Sequence, residues 1–251
     1  MGLMLILMGL GTLSSCTNPS TARSKTTLIV FAASSLTAVS STLEQHFEQK
    51  YPHLDLQFHL AGSQMLVQQV FEGAPADVIA LADPLQTARL HDAGLSLPAR
   101  RFAGNHLVFA VPHNNPATIR TREDITKQGV KIVLAGPSVP AGHYARSALQ
   151  TLGMLQAVEN NLVSNEHSAR GVIAKLELGE VDAGIVYTSD LHAHPRLHAI
   201  LPRLPVEAHY EAAPIVSSAS PTEAKLFLDE LASPAMQAIL LEHGFSPASP
   251  R

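Results

Sequence analysis

Cysteine is almost missing from this 251-residue chain, in which Cys16 stands alone. A single thiol leaves no framework of internal disulfides and no thiolate cluster for a metal. Positive charge is also scarce, with 17 Lys and Arg against 21 Asp and Glu and a formal net charge of -4. No broad basic surface follows from that balance, so nucleic-acid binding is not expected and recognition of any anion has to be local. Two catalytic patterns are absent as well. There is no Gly-x-x-x-x-Gly-Lys-Ser/Thr loop of the kind that cradles a nucleotide, and no Gly-x-Ser-x-Gly elbow that would present a hydrolase serine. Ser35 with a His and an Asp therefore makes a weak hydrolase constellation, since scattered residues of these types occur in any chain of this size. What remains is ordinary globular composition, 46% hydrophobic and 15% charged.

The opening residues, Met1 to Gly11, are almost wholly apolar. They are too short to span a bilayer and lie where a secretory signal segment belongs, although no Lys or Arg precedes them. Leu13-Ser14-Ser15-Cys16 resembles the lipobox of bacterial lipoproteins, in which cleavage leaves the Cys as a lipid-modified N-terminus. A plain signal peptide with an incidental Cys is the alternative. On the lipobox reading, 1–15 is a signal peptide and 16–25 a lipidated end with a polar tether, so the protein is exported and the folded body begins near Thr26.

From there, short β-like runs alternate with helical patterns, the signature of α/β units around a largely parallel sheet. Thr27 to Phe31 reads as a strand and is followed by Leu36, Val39, Leu43 and Phe47 at helical spacing. Leu54, Leu56, Phe58 and Leu60 alternate with polar residues as a second strand, before a helix carrying Leu66, Val67, Val70 and Phe71. Further strands are expected at Val78 to Leu81, Leu107 to Val111, Lys131 to Ala135 and Gly184 to Tyr187. Helices are expected to open at Pro140-Ala141-Gly142, Ser168-Ala169, Ser220-Pro221 and Ser233-Pro234, the Ser-Pro pairs supplying a cap and a first helical residue. Gly179 and Gly244 are placed to end helices.

Four helix starts share a chemistry: Ala33-Ser34-Ser35, Ala61-Gly62-Ser63, Pro140-Ala141-Gly142 and Ser168-Ala169. Small residues let a ligand approach the backbone, and each start aims unpaired N–H groups outward. In open α/β folds such turns gather at the carboxyl ends of the strands, where ligands bind. Taken alone, each Ser is as well explained as an ordinary helix cap. Arg170 is the only charge among these turns. A site that merely holds an oxyanion can work with neutral donors, which also leave no stranded buried cation when the anion departs.

Six stretches in this order resemble the molybdate-binding protein of bacterial molybdate ABC importers. They are Phe31-Ala-Ala-Ser-Ser-Leu-Thr, Gly73-Ala-Pro-Ala-Asp-Val, Gly104-Asn-His-Leu-Val, Val139-Pro-Ala-Gly-His-Tyr-Ala, Ala169-Arg-Gly and Gly184-Ile-Val-Tyr-Thr-Ser-Asp. The resemblance runs from about Leu28 to Phe245. It implies a two-lobed periplasmic-binding-protein fold of type II, two α/β domains joined by two crossover strands with the ligand cleft between them. One lobe is expected at 26–104 plus 214–251 and the other at 105–213. It further implies a binding protein, not an enzyme, that captures molybdate or tungstate and delivers it to an ABC permease. No cofactor beyond that ligand, a monomer, and a membrane location through a lipid on Cys16 complete the expectation. Carried over by position, Ser35 and Ser63 supply hydroxyls, Ala141 and Ala169 supply backbone N–H groups, and the Tyr187 hydroxyl closes the shell around the molybdenum oxyanion, with no side chain ligating a cation directly. At Ala169 the compared family member has Val, which leaves a main-chain contact unchanged.

Two departures from the family pattern stand out. Gly62-Ser63-Gln64-Met65 replaces a more Ser-rich run, which removes hydroxyls. His143 falls in the first turn of a ligand helix, where it either faces solvent or makes binding sensitive to acid. Thirteen histidines invite a metal reading, with His192, His194 and His198 the densest cluster, but no carboxylate or Cys set accompanies them. Sulfate and phosphate are the closest competing ligands. Sulfate differs in size, while phosphate can carry a proton that an all-donor shell cannot accept.

Overall fold

The computed structural model describes residues 25–200 and 203–248. The signal segment, Cys16 and all of the tether except Lys25 lie outside the described residues.

The body opens with β1 (Thr26–Ala33), a 3-10 turn (Ser34–Leu36) and α1 (Thr37–Lys50). There follow β2 (Leu54–Ala61), α2 (Ser63–Phe71), β3 (Val78–Leu81) and α3 (Pro84–Asp92). β1 pairs in parallel with β2 on one side and β3 on the other. Parallel neighbours need crossover connections, which α1 and α2 supply. Helices on the sheet faces explain why β3 is buried throughout and β1 from Val30 onward.

β4 (Arg100–Pro112) is the long strand of the molecule and is followed by α4 (Arg122–Ile125), β5 (Ile132–Ala135), α5 (Pro140–Thr151) and α6 (Leu155–Asn160). Then come β6 (Leu162–Glu166), α7 (Ala169–Glu177), β7 (Ala183–Tyr187), α8 (Thr188–Ala193) and β8 (Leu197–Ala199). β9 (Glu207–Pro214), α9 (Pro221–Leu231), α10 (Pro234–Glu242) and β10 (Ser246–Pro247) complete the chain. The main strand order is β2-β1-β3-β9-β4-β7-β5-β6. Each half thus has a parallel trio, 2-1-3 or 7-5-6, with an antiparallel strand beside it. β4 serves both halves: Arg100 to His106 pairs with β9, and Leu107 to Ala110 pairs with β7. One continuous strand therefore carries the chain between the two α/β layers.

The return was not legible in sequence. The expected lobe limits put 207–213 in the second lobe and Pro214 in the first, and β9 pairs along its length with β3 and the first part of β4. Its inner position buries even Glu211, which accepts a hydrogen bond from Thr87 Oγ1 at 2.6 Å. The last two helices fold back on the first half, with Phe227 of α9 edge-on to Phe47 of α1 at 5.4 Å.

Most helix ends follow the expected chemistry. Ser168 and Ser233 accept from the N–H groups of Gly171 and Met236, both at 3.3 Å. Gly179 and Gly244 take positive φ angles of 69° and 83°, the left-handed conformation that closes a helix. Ser220 departs from expectation because its side chain makes no cap bond. Its own N–H, which a capping-box Glu223 would accept, is bound by Ser218 Oγ at 3.0 Å.

Candidate functional site

Ser35, Ser63, Ala141, Ala169 and Tyr187 line one small cavity at the carboxyl ends of β1, β2, β3, β5, β6 and β7. All four helix starts singled out in the sequence meet there. The space open to the centre of a water-sized sphere is about 10 Å³. The lining is neutral throughout.

Each donor has a local cause. Ser35 lies in the turn where β1 hands over to α1 and is 7% exposed, while Ser63 is the first residue of α2 and is 2% exposed. Ala141 and Ala169 are buried in the first turns of α5 and α7, where backbone N–H groups have no acceptor within the helix. Pro140 opens α5 with a residue that has no N–H to satisfy, and Val139 offers no side-chain cap. Gly142 lets α5 start directly over the end of β5: a Cβ there would lie 2.1 and 2.2 Å from the carbonyl oxygens of Gly136 and Ala135.

Tyr187 is the decisive residue. It ends β7, is 1% exposed, and its hydroxyl is buried with no hydrogen-bond partner among the described residues. Leaving such a group unpaired costs about 1–3 kcal/mol. Burial pushes the phenol well above its ordinary pKa, so it stays protonated. The arrangement is a neutral cage of O–H and N–H donors with one donor waiting for an acceptor.

Residues 28–246 match the family of bacterial extracellular solute-binding proteins. The chain belongs to this family. Molybdate-binding protein ModA of Mycobacterium tuberculosis H37Rv is 33% identical over 225 residues, spanning 87% of this chain and 84% of that protein. Molybdate-binding protein ModA of Escherichia coli K12 is 31% identical over 231 residues, with 87% and 88% covered. The solved periplasmic molybdate-binding protein of Azotobacter vinelandii superposes with a TM-score of 0.77 over 89% of this chain and 100% of its own, at 19% identity. That last likeness speaks to the fold, and it agrees with the two-lobed α/β architecture expected from sequence. Among the described residues, no helix is long and apolar enough to cross a membrane.

In this solute-binding protein the two halves also meet beside the cavity. Gln64 Nε2 donates to the carbonyl of His167 at 2.9 Å, and a Cβ on Gly62 would approach the same oxygen to 2.8 Å. In the sequence, Gln64 had registered only as a lost hydroxyl. Structure gives it a bridge between α2 and the loop ahead of α7.

Charge is kept one step away from the cavity. An adjoining gap is bordered by Ser34, Ser35 and Thr37 on one side and by Arg170, Asp190 and His194 on the other. Asp190 accepts the Tyr187 N–H at 2.9 Å, and burial raises its carboxyl to about 7. His194 Nδ1 sits 3.0 Å from Glu177 Oε1.

The remaining candidates lie elsewhere. His143 is exposed, its ring 5.7 Å from that of Tyr144. The histidines that stand densest in the sequence are dispersed: His194 turns to Glu177, His198 meets His113, and the His192 ring lies 6.2 Å from that of His243. No group of three or more metal-ligating side chains forms among the described residues. Sequence reasoning missed Asp190 and Tyr210 as neighbours of the site. Asp190 stood inside the quoted Gly184 motif, whereas Tyr210 belongs to the strand that was not read at all.

Proposed function

We propose that this protein captures molybdate, and tungstate with it, outside the cytoplasm and hands the anion to an ABC permease. The ligand shell of this reading is Ser35 and Ser63 through hydroxyls, Ala141 and Ala169 through N–H groups, and Tyr187 through its phenol. The observation that carries it is the unpartnered buried hydroxyl of Tyr187, a residue of the cavity's neutral lining. A tetrahedral oxyanion supplies acceptors to all of them at once, and each such bond to a charged group is worth about 1.5–3 kcal/mol. The names of the relatives point the same way. Nothing in the shell is a nucleophile set beside a base, so the anion is held and released unchanged.

The two lobes of this reading are 26–106 plus 207–248 and 107–206, both boundaries moved from the expected 104 and 213 to follow the pairing of β4 and β9. The protein acts as a monomer held at the membrane by a lipid on Cys16, and it carries no cofactor. Calorimetric titration with molybdate, tungstate, sulfate and phosphate tests the assignment. Tight binding of the first two, weaker binding of sulfate and none of phosphate is expected. Absence of heat with molybdate overturns it.

A further inference from the structure

Tyr210 on β9 stands one ring away from Tyr187, with centroids 6.1 Å apart and planes at 64°. It is fully buried and held edge-on by Phe102 at 6.1 Å and Phe245 at 5.4 Å. Its hydroxyl lies 2.7 Å from Ser35 Oγ. On its other side, the amide nitrogen of buried Asn105 lies at 3.5 Å, and that nitrogen also donates to Ser189 Oγ at 2.8 Å. A single residue on β9 thus touches a hydroxyl of one half and a ring of the other.

The direction of the short bond follows from acidity. A phenol, with an ordinary pKa of about 10, is far more acidic than an alkyl hydroxyl and gives its proton to it. Burial keeps the Tyr210 phenol protonated. One of the two lone pairs of Ser35 Oγ is therefore occupied from behind, and its own hydrogen is free to turn to the cavity. Ser63 receives the same treatment from the Ala82 N–H, which donates to its Oγ at 3.3 Å.

We propose that Tyr210 is a positioning residue that holds Ser35 Oγ from behind and strengthens it as a donor toward the ligand. A hydroxyl that accepts one hydrogen bond is polarised into a better donor of its own. A fully deprotonated oxyanion brings the acceptors such a donor needs. This inference rests on the oxyanion reading of the site.

The test titrates the full chain, Tyr210→Phe, Ser35→Ala and the double variant with molybdate, with the ligand-free melting temperature of each recorded. Phe keeps the three ring contacts. Tyr210→Phe is expected to weaken molybdate about tenfold, as a lost hydrogen bond near a charge implies. The double variant is expected to be no weaker than Ser35→Ala, because Tyr210 acts through Ser35. Unchanged molybdate affinity in Tyr210→Phe overturns the proposal, as do losses that simply add in the double variant. Fluorotyrosine at 210, an isosteric and stronger donor, keeps the test open if Phe impairs folding: molybdate binding at least as tight as that of the wild type is expected, and weakened binding overturns the proposal. A wild-type protein that binds no molybdate overturns the functional reading itself, which is a different result from a wild type that binds and a Tyr210 variant that does not differ from it.

Discussion

A buried hydroxyl without a partner is a standing cost to the fold, and at Tyr187 that cost has a measurable signature. Tyr187→Phe removes a donor from the cavity and also removes the unsatisfied group. Differential calorimetry is expected to find the ligand-free variant more stable by about 1 kcal/mol, while titration finds molybdate binding weaker by about 1–3 kcal/mol. Ser35→Ala is expected to lose a similar amount of affinity without the gain in stability, since Ser35 Oγ already has a protein partner. Asp190 supplies a second residue-scale prediction. Its carboxyl titrates near 7 in the folded protein because of burial, against about 3.9 in an unfolded chain. Below about pH 4 both states hold the proton and Asp190 has no effect. Between about 4 and 7 the unfolded chain ionises first, so the folded state loses ground as pH rises, and above about 7 the penalty is complete. Asp190→Asn keeps an acceptor for the Tyr187 N–H and cannot ionise. Melting curves are expected to put this variant increasingly above wild type from pH 4 to 8, and a constant gap would contradict the burial argument.

Among the elements, the helix starts that line the cavity were the most legible part of the chain. Small residues, hydroxyls and Pro at Ser35, Ser63, Pro140 and Ala169 are local signals, and each produced the local structure expected of it. Gly142 ties this to packing. Replacing it with Ala places a carbon within about 2 Å of two strand-end carbonyls, so α5 has to lift from β5. A destabilisation of about 1–3 kcal/mol by denaturant melting is expected, with weakened molybdate binding because the Ala141 N–H moves with the helix. β9 lies between β3 and β4, and its two glutamates find partners only in the assembled fold, Glu211 with Thr87 and Glu207 with Arg101 at 3.2 Å. Its polar and apolar residues alternate from Glu207 to Ala212, but the charged Glu211 is buried only because the fold brings Thr87 to it. Tyr210 went unread with it.

The whole molecule divides into two α/β layers that share β4 and meet across the cavity through Gln64 and the His167 carbonyl. A ligand that takes hydrogen bonds from both layers favours the state in which they are together. Small-angle scattering is therefore expected to report a smaller radius of gyration with molybdate than without, and equal compactness would count against closure. The proposed anchor belongs to this scale too: Cys16→Ser is expected to move the protein from the membrane to the soluble fraction of cells, and persistent membrane fractionation would argue against lipidation.

Alone, the sequence determined the α/β alternation, the four uncharged helix starts and the resemblance that named an oxyanion carrier, because strand periodicity, caps and small-residue turns are written in neighbouring residues. Only the tertiary structure decided that those starts share one cavity, that Tyr187 lines it with a hydroxyl that has no partner among the described residues, and that Tyr210 donates to Ser35. These depend on residues as far apart as Ser35 and Tyr210 being brought to 2.7 Å, and local pattern carries no information about distance across a fold.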